Sequence, residues 1–228
     1  MTIEILSLLD GVRRADGTVV IVDVLRAFTT AAVAFERGAK RIVMVAEVAE
    51  ALALRRRGVG DIVMGEVAGK RPDGFDFGNS PHELSRADVR GKVLIQSTRA
   101  GTTGIAAAGR ARRIYAASFA VAGATARAIL HERPSKVSIV AMGQDACERS
   151  DEDELCAMYL RDLLEGRRPD FAAMRRIALC SKTADKFRDP SRPWFHPKDL
   201  TLALTLDLAD FAIRVRRKGG LLVAEPVR

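Results

Sequence analysis

Hydrophobic and polar positions alternate along the chain in blocks whose period switches between that of strands and that of helices. Val19 to Val22 form an unbroken β-branched run, which suits a strand buried on both faces. Asp23 follows at once, Arg26 three residues later, and Thr29-Thr30 lead into the alanine-rich helical stretch Ala31 to Ala34. Further strands read over Ile3–Leu6, Arg41–Ala46, Asp61–Met64, Lys92–Gln96, Arg112–Ala116 and Lys136–Ala141. Helical patterns separate them over Glu47–Arg57, about Thr103–Gly109 and Val121–Glu132, the last ending before Pro134. Helices dominate from Ser150 to about Leu179. An irregular piece, Asp185 to Asp199, then holds Pro190, Pro193, Pro197 and the only tryptophan, Trp194. Phe211–Arg216 and Leu221–Glu225, joined through Lys218-Gly219-Gly220, give a β-hairpin signal.

The alternation predicts βαβ units, and with the hairpin an α/β fold: a layered α/β/α arrangement on a mixed, largely parallel sheet. Residues 1–228 read as one α/β unit or as two intimately packed lobes, with a change of character near 145–150. The hairpin is expected to present an exposed edge on which a homo-oligomer could pair.

Composition narrows the partners. The net charge of +8 raises nucleic acid as a ligand, but the basic residues are scattered in short clusters such as Arg55-Arg56-Arg57 and Arg216-Arg217-Lys218. Aromatics are only 5% and do not interleave with them, so a base-stacking surface is not expected. A general positive potential favours a small polyanion instead. No apolar run approaches membrane-spanning length, and the first residues, with Glu4 and Asp10, do not read as a leader. Cys147, Cys156 and Cys180 lack CxxC spacing and are expected as free thiols in a cytoplasmic protein.

Several polar groups follow directly after predicted strands: Asp23, Gly65-Glu66, Ser97-Thr98 and Gly143-Gln144-Asp145. Were the strands parallel, these groups would share the sheet edge where α/β proteins bind ligands. Taken alone, Asp23 reads equally as a site carboxylate or as an acid at a helix start. The glycine- and acid-rich stretch Gly65 to Pro81 is long for a connector, and Glu66 in it is a candidate ligand. Asn79 and Ser80 read first as a helix cap ahead of Pro81. Ser97 to Gly104, STRAGTTG, is a turn that could bind an anion, with Arg99 as a charged fork, although it is neither a Walker loop nor GxGxxG. Asp151 to Glu154 opens a helix that Ser150 could cap. Its acids suit either the macrodipole or a hard divalent cation. His82, His131 and His196 have no metal-ligand spacing, and His196 reads as structural.

DVLRAFTT (23 to 30), GE (65 to 66), GFDFGNSP (74 to 81), STRAGT (97 to 102), ASF (117 to 119) and EDELCA (152 to 157) together resemble, in order, the motifs of the 2-phosphosulfolactate phosphatase family. The resemblance spans roughly Val19 to Ala157, and GFDFGNSP is its most specific piece. It implies an α/β fold of the family's own and Mg²⁺-dependent hydrolysis of a phosphorylated sulfonated lactate in coenzyme M biosynthesis. The matching polar positions are Asp23, Arg26, Glu66, Asn79, Ser80, Thr98, Gly101, Thr102, Glu152 and Asp153. By resemblance, Asp23, Glu66, Glu152 and Asp153 would hold Mg²⁺, and Asp23, Arg26 and Glu66 would carry the catalysis. Asn79, Ser80, Thr98, Arg99, Gly101 and Thr102 would bind the substrate. Whether Asp23 acts as nucleophile or as base for water stays open. The chain departs from the family's TNGT at Arg99 and Ala100, a gained guanidinium and a lost amide, and also at Phe28 and Met158. Ala100 motivates the alternative of a non-catalytic small-anion-binding protein on the same scaffold.

Overall fold

The computed structural model describes residues 1–228. In chain order the elements are β1 (Thr2–Ser7), α1 (Leu8–Arg14), β2 (Gly17–Val22), α2 (Ala27–Glu36), β3 (Arg41–Val45), α3 (Val48–Arg56), β4 (Ile62–Gly65), α4 (Pro81–Leu84), β5 (Val93–Ser97) and α5 (Gly101–Ala107). They continue with β6 (Ala111–Ala117), α6 (Ala122–Glu132), β7 (Lys136–Ala141), α7 (Asp151–Leu164), α8 (Phe171–Leu179), α9 (Lys182–Asp185), α10 (Pro197–Ala203), β8 (Ala212–Lys218) and β9 (Leu221–Val227). Helix α1 had no counterpart in the sequence pattern.

The nine strands form one sheet in the order β1-β7-β2-β6-β8-β9-β3-β5-β4. Five of the eight neighbouring pairs are parallel, and the three antiparallel ones all involve the hairpin, so the sheet is mixed and largely parallel. The alternation within β2 has the anticipated outcome. Val19 and Ile21 enter one core cluster with α2 and α5, while Val20 and Val22 enter another with α6 and α7.

Two expectations are overturned. The hairpin is not an exposed edge: β8 pairs with β6 and β9 with β3, so it sits mid-sheet and the edges are β1 and β4. Its turn is as expected, since Gly219 and Gly220 both have positive φ between the paired residues Lys218 and Leu221, as the tight two-residue turn requires. Because β9 lies antiparallel to β3, the block β3-β5-β4 also runs opposite to the block β1-β7-β2-β6, so the strands carrying the polar ends are not all parallel.

Those ends nevertheless meet. Five neighbour steps separate β2 from β5, and at roughly 20–25° of twist per step the sheet turns by roughly 100–125° between them. Added to the reversal of direction, that rotation lets the two blocks point their carboxyl ends towards a common place. Helix α5 lies in the hollow, touching β2 and β6 on one side and β3 and β5 on the other.

Candidate active site

The corner after β2 is built on Asp23. Its backbone N–H continues the ladder to the Ala117 carbonyl (3.1 Å), and its Oδ1 accepts the Ala27 N–H (3.0 Å). The helix-start reading holds for this residue, and it also lines a cavity of about 200 Å³. The Leu25–Arg26 peptide beside it is cis. From the other block, the start of α5 presses against Asp23 so closely that a Cβ on Gly101 would stand 2.8 Å from Asp23 Oδ2. Only glycine permits that approach.

Burial is the largest influence on the Asp23 carboxyl and raises it to about 7; the charges of Glu66 and Glu152 push the same way against the N–H groups of Ala27 and Gly101. Glu66 follows β4 and bridges two loops, accepting the Arg99 N–H at Oε1 (2.9 Å) and the Gly69 N–H at Oε2 (2.7 Å). Glu152, in the first turn of α7, is buried with no partner for Oε2, and burial raises its carboxyl. Asn79, also buried on the cavity wall, has an unpartnered Oδ1.

These oxygen donors are of the kind hard divalent cations take. No three His, Cys, Asp or Glu side chains close on one point tightly enough to enclose an ion alone. An ion held here would draw its remaining ligands from water or from a bound oxyanion.

Other anticipated site residues serve the frame. Asp153 accepts the Val24 N–H at Oδ1 (2.7 Å) and the Gly143 N–H at Oδ2 (2.8 Å), binding the α7 N-terminus to the corner and to the end of β7. It does not line the cavity. Burial first, then the charges of Asp23 and Glu152, hold its carboxyl well above the ordinary range. Thr98 and Thr102 lock the turn together, Thr98 N–H donating to Thr102 Oγ1 (2.7 Å) and Thr102 N–H to Thr98 Oγ1 (3.1 Å). Ser80 caps α4 by accepting the Glu83 N–H (3.1 Å), and its hydroxyl donates to Asp199 Oδ1 (2.6 Å). Ser150 holds the N-cap position of α7 but makes no side-chain capping bond, against expectation.

Arg26 stands between frame and cavity. Nη1 donates to the Trp194 carbonyl (2.7 Å) and to Asp199 Oδ2 (3.0 Å), Nη2 donates to the Gly69 carbonyl (3.0 Å), and the guanidinium carbon lies 4.7 Å from the Phe195 ring centre. Three of its five N–H groups are thus committed to the protein.

Part of the lining was not found from the sequence. Thr183, Lys186, Phe187, Arg192 and Phe195 come from α9 and the irregular stretch after it, and they line the same cavity as the acids. Lys186 Nζ donates to Gln144 Oε1, and Phe187 meets Phe195 edge-on at 5.2 Å. The available signal was the irregular stretch itself, a long segment with prolines and the only tryptophan, in a place where loops tend to carry function. Arg99 is exposed at the rim and has no ion-pair partner. The cavity lining consequently carries both signs of charge, the acids Asp23, Glu66 and Glu152 and the cations Arg99, Lys186 and Arg192, the last also paired with Asp189 at 3.1 Å.

The sequence profile described as 2-phosphosulpholactate phosphatase matches residues 6–196. Among curated proteins, a probable 2-phosphosulfolactate phosphatase of Bacillus subtilis is 32% identical over 212 residues, 91% of either chain. One from Prochlorococcus marinus is 33% identical over 226 residues, 90% of this chain and 91% of its own. One from Thermus thermophilus is 37% identical over 178 residues, 75% of this chain and 71% of its own. With the profile covering most of its length and relatives aligned almost end to end, the chain belongs to the 2-phosphosulfolactate phosphatase family.

Proposed function

We propose that the protein is a Mg²⁺-dependent phosphatase of the cytoplasm that hydrolyses a small phosphorylated acid, 2-phosphosulfolactate or a close relative. The observation that carries this reading is the cavity whose lining combines three buried acids with three cations. Such a site suits an ion beside the acids and an anionic substrate drawn in by the cations.

Asp23, Glu66 and Glu152 would hold the ion, the unpartnered Glu152 Oε2 being the oxygen with the strongest need of a counter-charge. Mg²⁺, when bound, supplies positive charge against the phosphoryl oxygens as the ester bond breaks. Arg99, Lys186 and Arg192 would draw the substrate's acid groups into the cavity, and Asn79 offers an acceptor to a hydroxyl or water there. Asp23 would either attack phosphorus or take a proton from the attacking water.

A second reading is favoured by one residue. Ala100 lines the cavity with a methyl group where the family's motif carries an amide. A protein that binds the phosphorylated acid without turning it over would have that change as its cause.

Phosphate release from 2-phosphosulfolactate, phospholactate and phosphoglycolate, measured with Mg²⁺ and with chelator, tests both. Chelator-sensitive release from one of them is the expected result. Binding without release selects the second reading, and neither binding nor release by the folded protein rejects both.

A further inference from the structure

A second hollow, about 720 Å³ and larger than the catalytic cavity, lies on the other side of Arg26, Gly69 and Asn79, which line both. One bank is the 71–87 region with Arg71, Phe77, His82 and Arg86; the other is Pro193, Trp194 and His196. Arg71 and Arg86 are both exposed, and neither forms an ion pair in a chain that otherwise pairs many of its surface arginines. Arg71 commits one N–H to the Asp76 carbonyl, and Arg86 commits none of its side-chain donors.

The only carboxylate on the lining is Glu83, whose Oε2 accepts the Gly78 N–H (3.0 Å). His82 and His196 stack at 4.4 Å and join the two banks. The hollow therefore holds an excess of donors and positive charge beside flat aromatic walls. Neither the catalytic reading nor the structural ties of Arg26 use Arg71 or Arg86.

From these features we infer that this hollow is a second, non-catalytic binding site for a phosphate-type oxyanion, with Arg71 and Arg86 as its charged ligands. The shared chemistry fits two sources, free phosphate or a phosphorylated metabolite that carries a ring against the aromatic walls. Guanidinium forks match the oxygens of such anions in pairs, and two of them on one bank grip better than a point charge.

The only tryptophan, Trp194, is on the lining and reports occupancy directly. With chelator present and at low ionic strength, titration of the full-length protein with inorganic phosphate is expected to change Trp194 fluorescence saturably. The Arg71→Ala/Arg86→Ala double variant should weaken that binding at least tenfold, and Asp23→Asn should leave it within about twofold. Both arginines are exposed, so the double variant is expected to keep its circular dichroism spectrum and its phosphate-releasing activity. Calorimetry with inorganic phosphate and with AMP separates the sources, tighter AMP binding indicating a ring-bearing ligand and equal binding indicating phosphate itself. No saturable fluorescence change and no heat with either probe would overturn the inference. So would undiminished affinity in the double variant, or a loss confined to Asp23→Asn, which would place the anion in the catalytic cavity.

Discussion

Arg26 and Asp199 are joined at 3.0 Å across 173 positions of sequence, their side chains 3% and 0% exposed. Asp199 also accepts from Ser80 Oγ and from the His82 N–H at 3.0 Å, while Arg26 reaches the Gly69 and Trp194 carbonyls. One buried pair thus fastens the β2 corner, the 65–72 loop, the start of α4 and the wall before α10 around the cavity. Removing one partner strands the other charge, so Asp199→Ala should cost about 3–5 kcal/mol. Urea unfolding of Asp199→Ala, Arg26→Met and the double variant checks it. The double variant should lose less than the sum of the two single ones.

Stability of the metal-free protein should fall as pH rises. The Asp23 carboxyl stands at about 7 in the folded state against an unperturbed 3.8, and Glu152 and Asp153 are displaced in the same direction. Between those limits the folded state binds more protons than the unfolded one, so the slope of unfolding free energy with pH is negative. For Asp23 the loss sets in above pH 4 and is complete above pH 7, and Glu152 and Asp153 add to it in the same direction. Thermal melts in chelator from pH 4 to 8 should show a declining midpoint, a shallower decline in Asp23→Asn, and recovery at pH 8 on adding Mg²⁺. An Asp23→Asn protein that still released phosphate at a near-normal rate would remove Asp23 from the mechanism.

Gly101→Ala probes the closeness of the two blocks. Its Cβ would meet both Asp23 Oδ2 and Ala27 Cβ at 2.8 Å, and neither can retreat without moving the corner. We expect a stability loss of about 1–3 kcal/mol and a fall in activity greater than in Gly58→Ala. Gly58 has open space around it but positive φ, so its alanine variant is a control for backbone strain.

The cavity's lysine and arginine from the segment after α8 should act on binding more than on chemistry. On the proposed function Lys186→Ala and Arg192→Ala each remove a cation that would draw the substrate's acid groups, so KM should rise roughly tenfold with kcat little changed, about 1.4 kcal/mol of uniform binding. Steady-state kinetics on the best substrate would show it, and a drop in kcat with constant KM would assign these residues to the reaction itself.

Ala100→Asn restores the family's amide on the cavity wall. Under the phosphatase reading it should alter the preference among phosphorylated acids, while under the binding-only reading it should bring out turnover. The phosphate-release panel distinguishes the two.

What could be read from the sequence followed local chemistry. The β-branched run of β2, the acid that ends it and the Gly-Gly turn are each determined by neighbouring residues, and each was legible. The mid-sheet position of the hairpin was not, because β8 finds β6 and β9 finds β3 only through long-range pairing. Asp199 was invisible for the same reason, since its partners Ser80 and Arg26 lie 119 and 173 residues away. Lys186 and Arg192 carry no motif, and only the folding of an irregular segment over the cavity gives them a role. The convergence of Asp23 with Glu66 was anticipated from a premise of parallel strands that the topology contradicts. Sheet twist supplied what parallelism was expected to.

The insertion of the hairpin between the two blocks has a consequence for the order of assembly. A chain emerging N-terminus first completes β1 to β7 before it has made the ribbon that welds β6 to β3. Until that ribbon docks, each half can pair its own strands, but Asp23 in one half and Glu66 in the other have no sheet connecting them. The cavity therefore reaches its final frame late in biosynthesis, and a nascent chain stalled before Ala212 would carry its acids on two half-sheets held together by α5 and loop packing but by no strand.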